Sequence, residues 1–236
     1  MMKTIVNKMI KAIKQFNLIE NGDTVAVGLS GGKDSLLLLK ALKTFQSYKM
    51  IDFNLIAITI DFGRDDMDFS PIKDFCKQLD VPYFIEPSQI YDIVFNVRKE
   101  KNPCSLCAKM RRGALCNAAI KLNANKLALG HHADDLVETF MLSFIFEGRL
   151  STFSPKTLMS RTNITVIRPF VYVSEQEVIV HSKSLPVVFN PCPANKNTKR
   201  QYVKNLIAKI KEDEPCATEN LTRAITNPQR NNLWKI

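Results

Sequence analysis

The segment from Asp23 to Ser35 limits this chain more than any other. Residues 23–29, Asp-Thr-Val-Ala-Val-Gly-Leu, read as a short buried strand, and the leucine-rich run after Lys33 reads as a helix. Between them stands only Ser30-Gly31-Gly32-Lys33-Asp34-Ser35. Two adjacent glycines allow the tight turn by which a strand passes directly into a helix. Such a turn leaves backbone N–H groups unpaired at the positive end of the helix dipole. The hydroxyls of Ser30 and Ser35 and the ammonium of Lys33 add further donors. An oligophosphate fits that arrangement. The spacing is neither the G-x-x-x-x-G-K-[ST] loop of the common NTPases nor the dinucleotide-binding G-x-G-x-x-G.

Downstream, strands and helices alternate. Residues 54–61 and 82–86 read as strands, separated by a helix over 71–79 that carries Ile72, Phe75, Cys76 and Leu79 on one face. A helix over 107–122 leads to a strand over 126–130. A helix over 134–146 then follows, with Val137, Phe140, Met141 and Phe144 as its expected inward stripe. Beyond it, the pattern predicts a strand over 166–170, a helix over 174–182 opened by Ser174 with Glu177 three residues on, and a helix over 200–211. This alternation predicts an α/β fold with a mainly parallel sheet sandwiched by helices. Ligands of such sheets bind beyond the carboxyl ends of the strands, where both Leu29 and Gly130 fall.

Residues 1–22 carry Lys3, Lys8, Lys11 and Lys14 between Ile5, Met9, Ile13 and Phe16, the spacing of an amphipathic helix and not of a targeting peptide. Residues 23–189 are then the main domain, and 190–236 a basic C-terminal segment, with no independent second domain expected. No run approaches the length of a membrane span, so a cytoplasmic location is expected. The net charge of +10 favours a polyanionic partner such as nucleic acid.

Two further clusters carry chemistry. Gly130-His131-His132-Ala133-Asp134-Asp135 runs from a strand end into a helix. Its carboxylates favour a helix N-terminus by themselves, and near a triphosphate they could also place Mg²⁺. Cys104 and Cys107 form a C-x-x-C beside Lys109, Arg111 and Arg112. No second C-x-x-C completes a zinc site, and the strand order does not announce a thioredoxin fold. Cys192, between Pro191 and Pro193, is the third candidate ligand. Three thiolates on a [4Fe-4S] cluster leave one iron without a protein ligand, open to a reaction. Cys76 and Cys116 read as core, and Cys216 has no assignment.

In order, these motifs (SGGKDS, CSLCxxxRRG from Cys104, LGHHxDD from Leu129, and Cys192) resemble the tRNA 2-thiocytidine synthetase family, relatives of the iron–sulfur tRNA 2-thiouridine synthetases and the lysidine synthetases. The hexapeptide is similar to the PP-loop of the N-type ATP pyrophosphatases, with their adenine nucleotide alpha hydrolase-like fold. The resemblance implies ATP- and Mg²⁺-dependent thiolation of an anticodon-loop cytidine, at position 32, through a [4Fe-4S] cluster on Cys104, Cys107 and Cys192. It implies ATP contacts at Ser30, Gly31, Gly32, Lys33, Asp34, Ser35, Ile60, Gly130, His131 and Asp135. Lys33, Arg111 and Asp135 are the implied catalytic residues. Arg111 stands where the thiouridine relatives have a functional lysine. With the basic surroundings, RNA contacts are expected at Lys109, Arg111, Arg112, Lys199 and Arg200. The expected partners are tRNA and a sulfur donor such as a cysteine desulfurase or free sulfide, with a homodimer as one expected assembly. Asn195 replaces a cysteine of the 2-thiocytidine pattern, and the zinc-finger cysteines of the thiouridine branch are absent. A lysidine-type ligase, another cluster-dependent thiolation or desulfuration enzyme, and a non-catalytic RNA-binding relative are the alternative readings.

Overall fold

The buried strand and glycine turn at the head of the chain are both present in the computed structural model, which describes residues 2–64, 67–98, 103–188 and 198–230. In chain order the elements are α1 (Met2–Phe16), β1 (Asp23–Gly28), α2 (Lys33–Ser47), β2 (Phe53–Asp61), α3 (Ser70–Gln78), β3 (Tyr83–Pro87), a π-helical segment (Asp92–Val97) and α4 (Pro103–Lys121). Then come β4 (Lys126–Ala128), α5 (Ala133–Glu147), β5 (Lys156–Met159), β6 (Ile164–Ile167), α6 (Glu175–Ser182), α7 (Lys199–Asp213), α8 (Ala217–Thr226) and a 3₁₀ turn (Pro228–Arg230). They divide into two compact units, Met1–His131 with Ser154–Ala194, and His132–Phe153 with Asn195–Ile236.

The first unit holds one six-stranded sheet in the order β3-β2-β1-β4-β6-β5. All neighbouring strands are parallel except β5, which runs antiparallel to β6. The expected mainly parallel sheet is therefore found. From β1 the chain winds outward to β2 and β3, then returns to the other side of β1 as β4. The crevice between the carboxyl ends of β1 and β4 is thus the topological switch point, where such sheets take their ligands. The strands are apolar because both faces are covered: Val25, Ala26, Val27, Ala57, Ile58, Leu127 and Ala128 are fully buried. Helix α1 buries Ile5, Val6, Met9, Ala12 and Ile13, the apolar side expected from its lysine spacing. Lys126, itself buried, stands 3.6 Å from the buried Asp23 and 3.4 Å from Glu20. This ion pair ties the start of β1 to β4.

Several boundaries differ from the sequence expectation for local reasons. Among the described residues helix α4 runs from Pro103, a residue that suits a first helical turn, whose N–H groups have no intrahelical partner. Cys104 and Cys107 consequently lie in its first turns. Strand β6 covers 164–167 and not 166–170: the pairing with β5 reaches as far as the Arg168 N–H on Pro155 O at 2.9 Å, and Pro169 has no N–H to extend the ladder. Helix α6 carries the expected capping box, Ser174 accepting from the Glu177 N–H and Glu177 from the Ser174 N–H. Strand β5, the π-helical segment and α8 were not anticipated.

In the second unit, α5 packs Val137 with Val203 and Ile207 of α7, flanked by Met141, Leu142, Leu221 and Ile225. The expected inward stripe of α5 is corrected at one position. Phe144 is 53% exposed and stacks on Phe140 at 6.1 Å, whereas Leu136 and Val137 are buried.

Candidate active site

The phosphate loop is braced from within. Ser30 N–H donates to Ser35 Oγ at 3.2 Å, Ser35 Oγ donates to Gly32 O at 3.0 Å, and Gly32 N–H donates to Ser30 Oγ at 3.3 Å. Both serines therefore spend hydroxyl capacity on shaping the loop. Gly31 has φ +79°, a conformation that only glycine takes at little cost. The N-cap of α2 is Gly32, and no side chain caps the helix start. Its first-turn N–H groups are therefore the site's intrinsic anion donors. Lys33 Nζ stands 3.0 Å from Asp34 Oδ1 and 3.5 Å from Glu175 Oε1, at the first residue of α6. A lysine held by carboxylates is positioned but has charge to hand over to a phosphate.

Gly130 closes against this loop. A Cβ there would meet the Asp34 carbonyl carbon at 3.0 Å and the Ser35 nitrogen at 3.1 Å, so the backbones after β1 and β4 touch. The first unit thus brings Ser30 to Ser35, Gly130 and, next in the chain, His131 to one end of the switch-point crevice. Ile60 is buried near the carboxyl end of β2, one strand over. Val188 also reaches the loop: its N–H donates to Gly31 O at 3.0 Å, and a Cβ on Gly31 would lie 3.2 Å from its own Cβ. Val188 is the last described residue before the segment carrying Cys192, which lies outside the described residues.

Helix α4 carries the other half of the chemistry. Cys104 is exposed and Cys107 half-buried against the core cluster that includes Ile60, Ile58 and Leu115. Leu115 Cδ1 lies 3.1 Å from where a Gly28 Cβ would be, so α4 seats directly on the strand that feeds the phosphate loop. Arg111 follows Cys107 by one helical turn, on the same face. Its guanidinium lies 5.0 Å above the Phe62 ring, just past β2. Two thiols at i and i+3 of an exposed first turn are soft donors that can point to one cluster, so the pair fits iron–sulfur ligation. Lys109 and Arg112 are exposed on the same helix. By contrast, burial pushes the Cys76 thiol up to about 11 and raises that of Cys116, as expected of core cysteines.

In the second unit, His132 caps α5: its ring accepts from the Asp135 N–H at 3.4 Å, while Asp135 Oδ2 accepts from the His132 N–H at 3.0 Å. Asp135 Oδ1 also accepts from Arg200 at 2.6 Å, and Arg200 Nε donates to the buried Glu138 at 2.7 Å. Arg200, expected at the RNA, is thus engaged by two carboxylates. Lys199 is exposed and lies 4.7 Å from the centre of the Phe146 ring. Sequence reasoning missed Glu175, Phe62, Glu138 and Val188. Each is far in sequence from what it touches, and none belongs to a recognisable motif.

The chain matches the family model described as a PP-loop domain over residues 1–211. It is 38% identical over 222 residues to the tRNA-cytidine(32) 2-sulfurtransferase of Pelobacter propionicus, covering 92% of this chain and 82% of that protein. With the same-named protein of Geobacter sulfurreducens it shares 37% over 232 residues, covering 96% and 90%. The chain belongs to the PP-loop family of tRNA-cytidine(32) 2-sulfurtransferases. Among solved structures it superimposes with a TM-score of 0.79 and 26% identity on the U34-tRNA thiolase NcsA from Methanococcus maripaludis with its [4Fe-4S] cluster. That match covers 98% of this chain and 80% of the other. No helix among the described residues is long and apolar enough to cross a membrane.

Proposed function

We infer that this chain is an ATP-dependent tRNA sulfurtransferase that replaces the C2 oxygen of an anticodon-loop cytidine, position 32, with sulfur. The observation that carries the reading is the uncapped α2 start, pressed by Gly130, at the end of the strand on which the helix of Cys104 and Cys107 packs through Leu115.

The α2 N–H groups and Lys33 hold the β- and γ-phosphates of ATP, leaving the α-phosphate open to attack by the base oxygen. When that oxygen bonds to the α-phosphorus, the bond to the bridging oxygen breaks and pyrophosphate leaves on the charge supplied by Lys33. By the family resemblance Asp135 would be a carboxylate ligand of Mg²⁺, which would supply further charge to the leaving pyrophosphate. The former carbonyl oxygen now departs with AMP, a far better leaving group, as sulfur takes its place. A [4Fe-4S] cluster on Cys104, Cys107 and Cys192 supplies, when bound, an iron with no protein ligand at which sulfide can be held. Arg111, fixed by the Phe62 ring, places positive charge on the cysteine face of α4. Ile60 and His131 complete the nucleotide site, and Lys109, Arg112 and Lys199 meet tRNA phosphates. The sulfur comes from a cysteine desulfurase or free sulfide, and a tRNA substrate puts the reaction in the cytoplasm. Cys192 follows Val188 by only four positions, a chain reach of at most about 14 Å.

The test compares nucleosides of tRNA from cells with and without this protein. Loss of 2-thiocytidine, restored by the wild-type chain but not by Cys104→Ala, is expected. Unchanged 2-thiocytidine in its absence contradicts the reading.

A further inference from the structure

The second unit exposes aromatic surface that the reaction above does not use. Tyr202 of α7 is 57% exposed and Phe146 of α5 is 40% exposed. Their rings meet edge to face, 6.0 Å apart at 68°, and the Lys199 ammonium lies over the Phe146 ring. Tyr202 follows Lys199 by three residues, so both project from one side of α7. The residues of α7 buried against α5 are instead Val203 and Ile207, whereas Tyr202 stays at the surface. These aromatics therefore do not serve the core. Around them α7 is basic, with Lys199, Arg200, Lys204, Lys209 and Lys211 from Thr198 to Lys211, and Glu147, next to Phe146, is a carboxylate near Lys199. Of these, Arg200 and Lys204 are paired with Glu138, whereas Lys199 sits at the rings.

Exposed rings interleaved with cations are what an unpaired nucleotide needs: a flat face for the base and a positive charge for its phosphate. A paired RNA helix keeps its base faces stacked inside and offers mainly phosphates and 2′-hydroxyls. We propose that Tyr202 and Phe146, with Lys199, form a stacking platform for an unstacked base of the substrate tRNA loop. The platform rests on the tRNA reading above. It assigns to tRNA binding residues of α5 and α7 that the nucleotide and cysteine assignments above do not include.

Binding of unmodified tRNA is measured over a series of salt concentrations. Tyr202→Ala and Phe146→Ala are each expected to weaken binding roughly 5- to 100-fold, the range of one base–aromatic stack, with the salt slope unchanged. Tyr202→Phe keeps the flat ring and is expected to bind like the wild type, whereas Tyr202→Leu keeps apolar area alone and is not. Lys199→Ala is expected to lower the salt slope by about one. Thermal unfolding of each variant serves as the control for folding, since both rings lie at the surface. Wild-type affinity in Tyr202→Ala and Phe146→Ala overturns the platform and leaves the sulfurtransferase reading intact. Wild-type RNA affinity together with a change in oligomeric mass assigns the patch to self-association and also overturns it. A wild-type chain that binds no tRNA contradicts the substrate reading, and the platform with it.

Discussion

At the scale of single residues, two glycines with opposite surroundings give opposite expectations. A side chain at Gly130 would drive into the backbone of the phosphate loop at 3.0–3.1 Å. Gly130→Ala should displace that loop at an overpacking cost of about 1–3 kcal/mol. By isothermal titration, ATP affinity is expected to fall roughly 5- to 100-fold; unchanged affinity would show that the backbone contact does not shape the site. Gly113, inside α4, has open space where a methyl group would stand, with nothing within 4 Å. Gly113→Ala should stabilise the protein by about 0.5–1 kcal/mol in urea unfolding, through lower backbone entropy in the unfolded chain. Cysteine chemistry divides the same way. In cluster-free protein at about pH 8, alkylation should mark the exposed Cys104 and Cys216 and spare Cys76 and Cys116, whose buried thiols hold their protons, until the chain unfolds. Peptide mapping by mass reads this directly. What was legible at this scale was the local structure of the motifs, the strand-to-helix turn of SGGKDS and the helical C-x-x-C, because adjacent residues encode it. Lys33 meeting Glu175, 142 positions away, leaves no such local trace.

Between elements, Arg200 and Lys204 join α7 to α5 through Glu138, whose side chain is 3% exposed. Burial pushes the Glu138 carboxyl up, against the pull of Arg200 and Lys204. A carboxyl raised in the fold contributes most below its unfolded value, and that contribution fades as pH rises through the folded value. Arg200→Ala removes one compensating cation. It should cost about 1–3 kcal/mol, less than a fully buried pair because Arg200 is half open to water. The loss should be larger at about pH 8, where Glu138 must remain charged, than at about pH 5; equal urea midpoints at the two pH values would contradict the account. Helices and strands with clear periodicity, such as α1, α2, β1 and β2, were legible from sequence. Strand β5 was not, since its short run Lys-Thr-Leu-Met is half polar and is defined by pairing with β6. Phe144 was misplaced because helical spacing gives a face but not the identity of what covers it. The second unit offers Val203 and Ile207 to Val137, leaving Phe144 outside.

For the whole molecule, the sheet order converts sequence motifs into a site. Placing β4 next to β1 brings Gly130 onto the phosphate loop, and packing α4 over β1 sets the cysteine helix under the same strand. The α/β class followed from alternation of elements. The division into two units did not, because it joins residues 132–153 to the C-terminal segment across an intervening hairpin and helix, a pairing that no composition shift announces. The central claim is that ATP activates the base by taking up its oxygen. It is tested most directly with tRNA carrying ¹⁸O at the cytidine C2 position, incubated anaerobically with the cluster-loaded enzyme, ATP, Mg²⁺ and sulfide. The account predicts that the label appears in AMP, in step with 2-thiocytidine; ADP as the product, or thiolation with unlabelled AMP, would contradict it.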